Sequence, residues 1–285
     1  MSNKKSVVVT GASTGIGWAT VKVLLQKGFR VYGTVRKQAD AERLKAEFGS
    51  GFRPLLMDVT DKAAVESAAA QVAAELGQER LSGLVNNAGI AVPGPLMHLS
   101  LEAYRHQLEV NVIAPLLVTQ VFGPLLGTDR SRIGPPGRIV QISSVGGKMG
   151  APFLGAYAAS KHALEGMSES LRRELLLYGI DVILIGPGSV ATPIWDKAEG
   201  DDFSQYGKTD YAHSIRRFSQ YFIAAGRKGF PPERIGESVL VALTAKNPRV
   251  RYAVVPHRFM NWTLPGLLPK RVLDRMIGKR TGLLS

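Results

Sequence analysis

The sequence predicts a single α/β domain: a doubly wound parallel sheet of about seven strands with helices on both faces. Three observations predict it. Short runs rich in Val, Ile and Leu alternate with longer stretches of helical periodicity along the chain. The short runs lack strict polar alternation, as strands covered on both faces do. With 285 residues, 45% of them hydrophobic, the chain suits one large domain and is short for two.

Taken in order, the strand runs fall at 7–10, 30–34, 54–58, 84–87, 138–143, 182–185 and 251–255. Helical periodicity falls near 15–27, 61–76, 100–126, 156–178 and 233–246. The alternation of the two places the strands in one parallel sheet. Pro135 and Pro136 mark a surface loop before a strand. The stretch 194–229 has no clean strand signal and is rich in aromatic, charged and glycine residues, which suits a mobile lid over a site. Residues 1–255 are thus expected to form the domain, and 256–285 an extension packed on or beside it. That extension holds Trp262, Pro265 and Pro269, then an amphipathic stretch at 271–277.

Composition excludes several classes. The chain has no cysteine, which removes disulfides, thiolate nucleophiles and thiolate–zinc sites and suits a reducing cytoplasm. The five histidines, 98, 106, 162, 213 and 257, show no pair at ligand spacing, so no metal is expected. The N-terminus lacks the long apolar region of a secretory signal, and no unbroken apolar run reaches the roughly 18–20 residues of a spanning helix. A cytoplasmic protein is expected. Net charge is +13, and from Lys246 onward nine Lys or Arg face one acid, Asp274. This is either a solvated basic face or a surface that attracts anionic lipid or an anionic substrate. No recognition motif accompanies the charge, so nucleic acid is not an expected partner.

After the first strand the sequence TGASTGIG places Gly11, Gly15 and Gly17 at the opening of a helix. Glycines there allow a tight turn and close approach of a pyrophosphate to the free N–H groups of the helix N-terminus. A glycine turn between strand and helix also occurs without a ligand. At the end of the second strand stand Arg36 and Lys37, where an acid would suit the free ribose hydroxyl of NAD. A charge-assisted Arg–phosphate contact is worth roughly 1.5–3 kcal/mol. Arg36 therefore points to NADP(H), although an arginine opening a surface loop is ordinary. Ser13 and Thr14 offer hydroxyls to the same phosphate.

Of the eight tyrosines, only Tyr157 has a lysine four residues on, Lys161. On a helix these two share a face and can enter one cleft. Carbonyl reduction needs a proton donor at the developing alkoxide, and the reverse reaction needs a base. The lysine cation is expected to lower the phenol from its ordinary pKa of about 10. Taken alone, such a pair is more often a surface pair.

The spacing GxxxGxG, with LLMDV, LVNNAG and PGSVAT following in order over roughly residues 5–255, resembles the short-chain dehydrogenases. The resemblance implies a Rossmann-like fold and hydride transfer, from the B face of nicotinamide, between a cofactor and a carbonyl or secondary alcohol. It implies cofactor contacts from Gly11, Ser13, Thr14, Gly15, Ile16, Gly17, Arg36, Asp58 and Val59. Asn87, Ala88, Gly89, Tyr157, Lys161, Pro187, Gly188, Val190 and Thr192 complete that set. Ser144 lies thirteen residues before Tyr157, the family spacing, and is preferred on that ground to Ser143. Asn111 matches the residue that holds a proton-relay water. Asn111, Ser144, Tyr157 and Lys161 form the expected catalytic tetrad, Lys161 also binding the nicotinamide ribose. Homodimers or homotetramers through the helices near 100–126 and 156–178 are implied as well.

The stretch from Ser143 to Leu175 is most similar to the 17β-hydroxysteroid and retinol dehydrogenase branch. Met149, Pro152, Phe153, Ile194, Trp195, Phe203, Tyr206, Phe218, Tyr221 and Phe222 then either line a pocket for a hydrophobic, steroid- or retinoid-like substrate or pack the lid onto the sheet. The extension reads as a peripheral membrane contact, a dimer arm or a cover on the pocket. Reduction of smaller ketones or quinones, and cofactor sensing without turnover, are the competing functions.

Overall fold

A computed structural model describes residues 5–284. The first four residues and Ser285, which the expected domain and extension include, lie outside the described residues. Seven strands form one parallel sheet in the order β3-β2-β1-β4-β5-β6-β7. They are β1 (Ser6–Val9), β2 (Arg30–Val35), β3 (Phe52–Leu56), β4 (Gly83–Asn86), β5 (Arg138–Ile142), β6 (Asp181–Pro187) and β7 (Arg251–Val254). Side chains alternate across the sheet and both sides are dry. Val7, Val9, Val31, Val85, Val140 and Ile183 enter one core. Val8, Tyr32, Leu84, Ile139 and Val182 enter the other. This is why the strands read as unbroken apolar runs.

The first core is closed by helices α1 (Gly15–Gln26), α2 (Gln38–Phe48) and α9 (Glu233–Thr244). The second is closed by α3 (Lys62–Leu76) and α5 (Ala114–Gly123), with α6 (Gly155–Glu174) at its margin. A stretch of helix from Leu101 to Thr128 contains α4 (Leu101–Leu108), a π-type turn over Glu109–Ile113, then α5. It has the length and hydropathy of a membrane span, against the sequence expectation, but 56% of its most apolar window is buried in the fold.

Several boundaries differ from the sequence reading. α2 was not expected: its charged residues face solvent, and only Ala41 and Leu44 are buried, too few to make a visible period. β3 ends at Leu56, so Asp58 lies in the following turn. Ser144 lies two residues beyond β5, at the start of a 3₁₀ turn, and Pro187 belongs to β6. The 194–229 segment is largely helical, with α7 (Ile194–Glu199) and α8 (Ala212–Arg227). In the extension a short α10 (Leu264–Leu267) precedes α11 (Lys270–Thr281), which is longer than the amphipathic stretch expected.

Candidate active site

The strand order reverses between β1 and β4, and the loops leaving the carboxyl ends of β1, β4, β5 and β6 converge beside that switch point, the usual ligand crevice of such sheets. Gly11 and Gly15 adopt φ of +67° and +60°, which side chains disfavour. A Cβ on Gly17 would lie 2.1 Å from the Gly11 carbonyl oxygen. Helix α1 therefore begins directly under the turn. Thr14 is its N-cap but makes no side-chain cap hydrogen bond, so the helix presents its first N–H groups outward with Ser13 beside them. Ile16 packs against the core and anchors the helix from below. This cradle fits a pyrophosphate.

Asn87 also has a structural part. Its side-chain Nδ2 donates to the carbonyls of Thr10 (2.8 Å) and Gly11 (3.1 Å), tying the glycine turn to β4. The Thr10 hydroxyl in turn accepts from the main-chain N–H groups of Asn87 and Ala88. Gly89 is exposed in the crevice, and a Cβ there would meet Asn111 Oδ1 at 3.1 Å.

Arg36 is exposed just past β2 and lies close enough to Asp58 to help hold that carboxyl below its usual value, after the hydrogen bond from the Thr60 N–H. Val59 is buried beside it. Arg43 was missed by sequence reasoning: its guanidinium donates to the Ser13 carbonyl at 2.8 Å and so reaches the phosphate turn from α2. No sequence signal separates it from the other surface cations of that helix. Past β6, Gly188 is bonded to Val254, Val190 is buried, and Thr192 comes next to Gly15.

Tyr157 and Lys161 lie on the first turns of α6, and the Ser144 hydroxyl stands beside the phenol ring. Ser143 instead points to Glu165, donating at 2.7 Å. Lys161 donates from Nζ to the Ile142 carbonyl at 2.8 Å, which leaves two of its three N–H bonds uncommitted. Burial lowers its pKa to about 8, with Glu165 opposing the shift. Burial raises the Tyr157 pKa, and the neighbouring Ser144 hydroxyl opposes it. Asn111 lies in the π-type turn with its side-chain amide in use: Oδ1 accepts from Ile90, and Nδ2 donates to Ile90 and Ser160.

The aromatic residues expected near the substrate divide. Phe153, Tyr206 and Phe218 are buried in one cluster, with Phe203 and Phe222 against it. Trp195 packs on Phe222 and donates to the Val190 carbonyl at 2.6 Å. Tyr221 lies under Arg280, and Ile194 is exposed. These residues mainly pack the lid. The apolar cleft beside them is lined by Pro95, Leu96, Met97, Pro152, Phe153, Tyr211 and Leu283. A neighbouring cleft adds Gly150, Ile277 and Leu284. Of the expected group, only Pro152 and Phe153 line these clefts, and Met149 does not. The C-terminal tail forms part of their walls, held to α8 by a 2.8 Å bond from the Ser214 hydroxyl to the Gly282 carbonyl.

The short chain dehydrogenase family model matches residues 5–202. The NADPH-dependent 3-dehydrocapnine reductase of Ornithobacterium rhinotracheale is 40% identical over 272 residues, covering 95% of each chain. Retinol dehydrogenase 5 of Mus musculus is 31% identical over 283 residues, covering 95% of this chain and 87% of that one. The crystal structure of a short-chain dehydrogenase from Streptomyces avermitilis superposes with a TM-score of 0.76 at 25% identity, covering 99% of this chain and 98% of that one.

Proposed function

The chain belongs to the short-chain dehydrogenase family, and on that premise we propose that it is an NADPH-dependent reductase of an apolar, lipid-like ketone, with Tyr157 as proton donor. The observation that carries the proposal is the convergence of Ser144, Tyr157 and Lys161 beside the glycine turn. The named activity of the 40% identical relative, an NADPH-dependent reductase, supports the cofactor and the direction. The apolar lining of the cleft supports the substrate class.

Bound NADPH supplies the hydride. The chain's own work is to hold the carbonyl and deliver a proton. The Ser144 hydroxyl orients the substrate oxygen beside the phenol. A raised Tyr157 pKa keeps the phenol protonated near neutral pH, the state a donor needs. As the carbonyl oxygen gains charge it becomes the stronger base and takes the phenolic proton. Lys161 stabilises the phenolate left behind and binds the ribose hydroxyls with its free N–H bonds. Arg36 and the hydroxyls of Ser13 and Thr14 receive the 2′-phosphate. Asn111, with its amide in use, acts by shaping the π-type turn.

The test is NADPH and NADH oxidation, followed by nicotinamide absorbance, with 3-dehydrocapnine, all-trans-retinal, a steroid ketone and a short β-keto ester. Tyr157→Phe is expected to lower kcat by about 10²–10⁴-fold while leaving NADPH binding intact. Arg36→Asp is expected to cut the preference for NADPH by roughly ten- to hundredfold. Undiminished turnover in Tyr157→Phe removes the proton donor. Equal use of both cofactors removes the Arg36 reading. Turnover of the short ester alone replaces a lipid-like substrate with a small one.

A further inference from the structure

One buried polar cluster takes no part in the chemistry above. Glu165 lies one turn past Lys161 on α6, and its side chain is 3% exposed. From β7, Arg251 Nε lies 3.0 Å from both carboxylate oxygens and Nη2 lies 2.9 Å from Oε1. Ser143 donates to the same carboxylate, and Lys148 lies 3.3 Å away. Burial alone would raise the Glu165 pKa, but these donors hold it below the ordinary value. Two glycines clear the space. A Cβ at Gly147 would lie 2.9 Å from Glu165 Oε1, and one at Gly186 would lie 2.5 Å from Arg251 Nη2.

A buried ion pair is a poor source of stability, because desolvation offsets most of the attraction. Its strength is geometric, since a guanidinium fork on a carboxylate fixes both partners in position. Here the pair is joined to the loop that carries Ser144. The last bond from that loop to the sheet is Ser143 N to the Ile185 carbonyl, at 2.7 Å. Beyond it, Arg251 Nη2 donates to the Ser144 carbonyl at 3.2 Å, and Gly147 N donates to the same oxygen at 3.1 Å. The other face of the guanidinium lies over the ring of Trp262, 4.6 Å from its centroid. That tryptophan belongs to the C-terminal extension.

We propose that the Arg251–Glu165 pair is the positioning element for Ser144, clamped by Trp262, so that the extension serves catalysis without touching the reacting atoms. The proposal rests on the reading of Ser144 and Tyr157 given above. A displacement of about 1 Å at a reacting group can cost on the order of a hundredfold in rate, and the main chain at Ser144 has no sheet partner to prevent it.

The test compares the full chain with the double variant Glu165→Gln/Arg251→Met, which removes both charges of the pair together, and with Trp262→Ala. In the double variant, amide exchange across residues 143–149 is expected to speed up at least about tenfold while NADPH affinity holds. With 3-dehydrocapnine and NADPH, kcat is expected to fall roughly ten- to hundredfold with little change in KM. Made on top of Ser144→Ala, the same change should cost less than about twofold, because the group it positions is gone. Trp262→Ala should move both readouts in the same direction by less. Equal kcat losses with and without Ser144, or unchanged exchange at 143–149, overturn the proposal. Undiminished turnover in Tyr157→Phe overturns the catalytic reading instead, and the exchange measurement still decides the role of the pair.

Discussion

The two ends of the crevice are built on opposite principles. At the cofactor end the space is filled by main chain. Gly17 stands 2.1 Å, at its missing Cβ, from the Gly11 carbonyl, and the Asn87 amide stitches the turn to β4. At the substrate end the space is filled by side chains. Phe153 meets Tyr211 and Phe218, Phe218 stacks on Phe222, and ring centroids lie 5.2–6.0 Å apart. Main chain in van der Waals contact has no rotamers with which to adjust, whereas a cluster of rings can repack around a different volume. The first end therefore demands particular residues at particular positions, and the second asks only for apolar bulk.

Gly17→Ala tests the rigid end and has the largest expected effect on cofactor binding. Overpacking of this kind costs about 1–3 kcal/mol, and NADPH affinity is expected to fall roughly ten- to hundredfold. Titration of the intrinsic fluorescence with NADPH measures it. An affinity within twofold of the native chain would mean that the turn has slack and that the contrast is false.

Phe218→Ala tests the adaptable end. Removal of a buried aromatic ring costs about 3–5 kcal/mol where the site cannot collapse. In this cluster the neighbouring rings are expected to take up part of the loss, so the melting temperature drops by less than that range implies. KM for an apolar ketone rises severalfold while NADPH affinity is unchanged. A loss of cofactor affinity would show that the two ends are coupled.

Lys161, between the two ends, gives the smallest effect. Its pKa in the folded chain, about 8, lies below the ordinary lysine value of 10.5. Between these values the unfolded chain binds more protons than the folded one, so this group makes stability rise with pH across that window. Below pH 8 the cost of burying the cation is present in full. The cofactor-free protein is expected to gain a few degrees in Tm relative to Lys161→Met as pH is raised through the window. Parallel pH curves for the two proteins would place the lysine in water.

Most of the rigid end was legible in the sequence because its constraints are local. Gly11, Gly15 and Gly17 lie within one turn of chain, and Tyr157 and Lys161 within one turn of helix. Arg36 follows directly from the strand before it. The adaptable end was not legible. Leu96, Tyr211 and Leu283 line one cleft from three distant segments, and nothing in their local sequence distinguishes them from other surface apolar residues. Most of the expected substrate aromatics pack inward because the lid helices need a core of their own.

By itself the sequence determined the alternation of strand and helix, the glycine turn and the chemical types of the reacting groups. These depend on periodicity, on backbone freedom at glycine and on spacing along one helix. Only the tertiary structure decided that Ser143 bonds Glu165 while Ser144 stands beside Tyr157, and that Arg251, 86 residues beyond Glu165, reaches its carboxylate. It also decided that the C-terminal tail lines the apolar clefts beside the lid. The physical reason is that burial, ion pairing and cleft shape depend on distances through space, which are set once the sheet has assembled its helices.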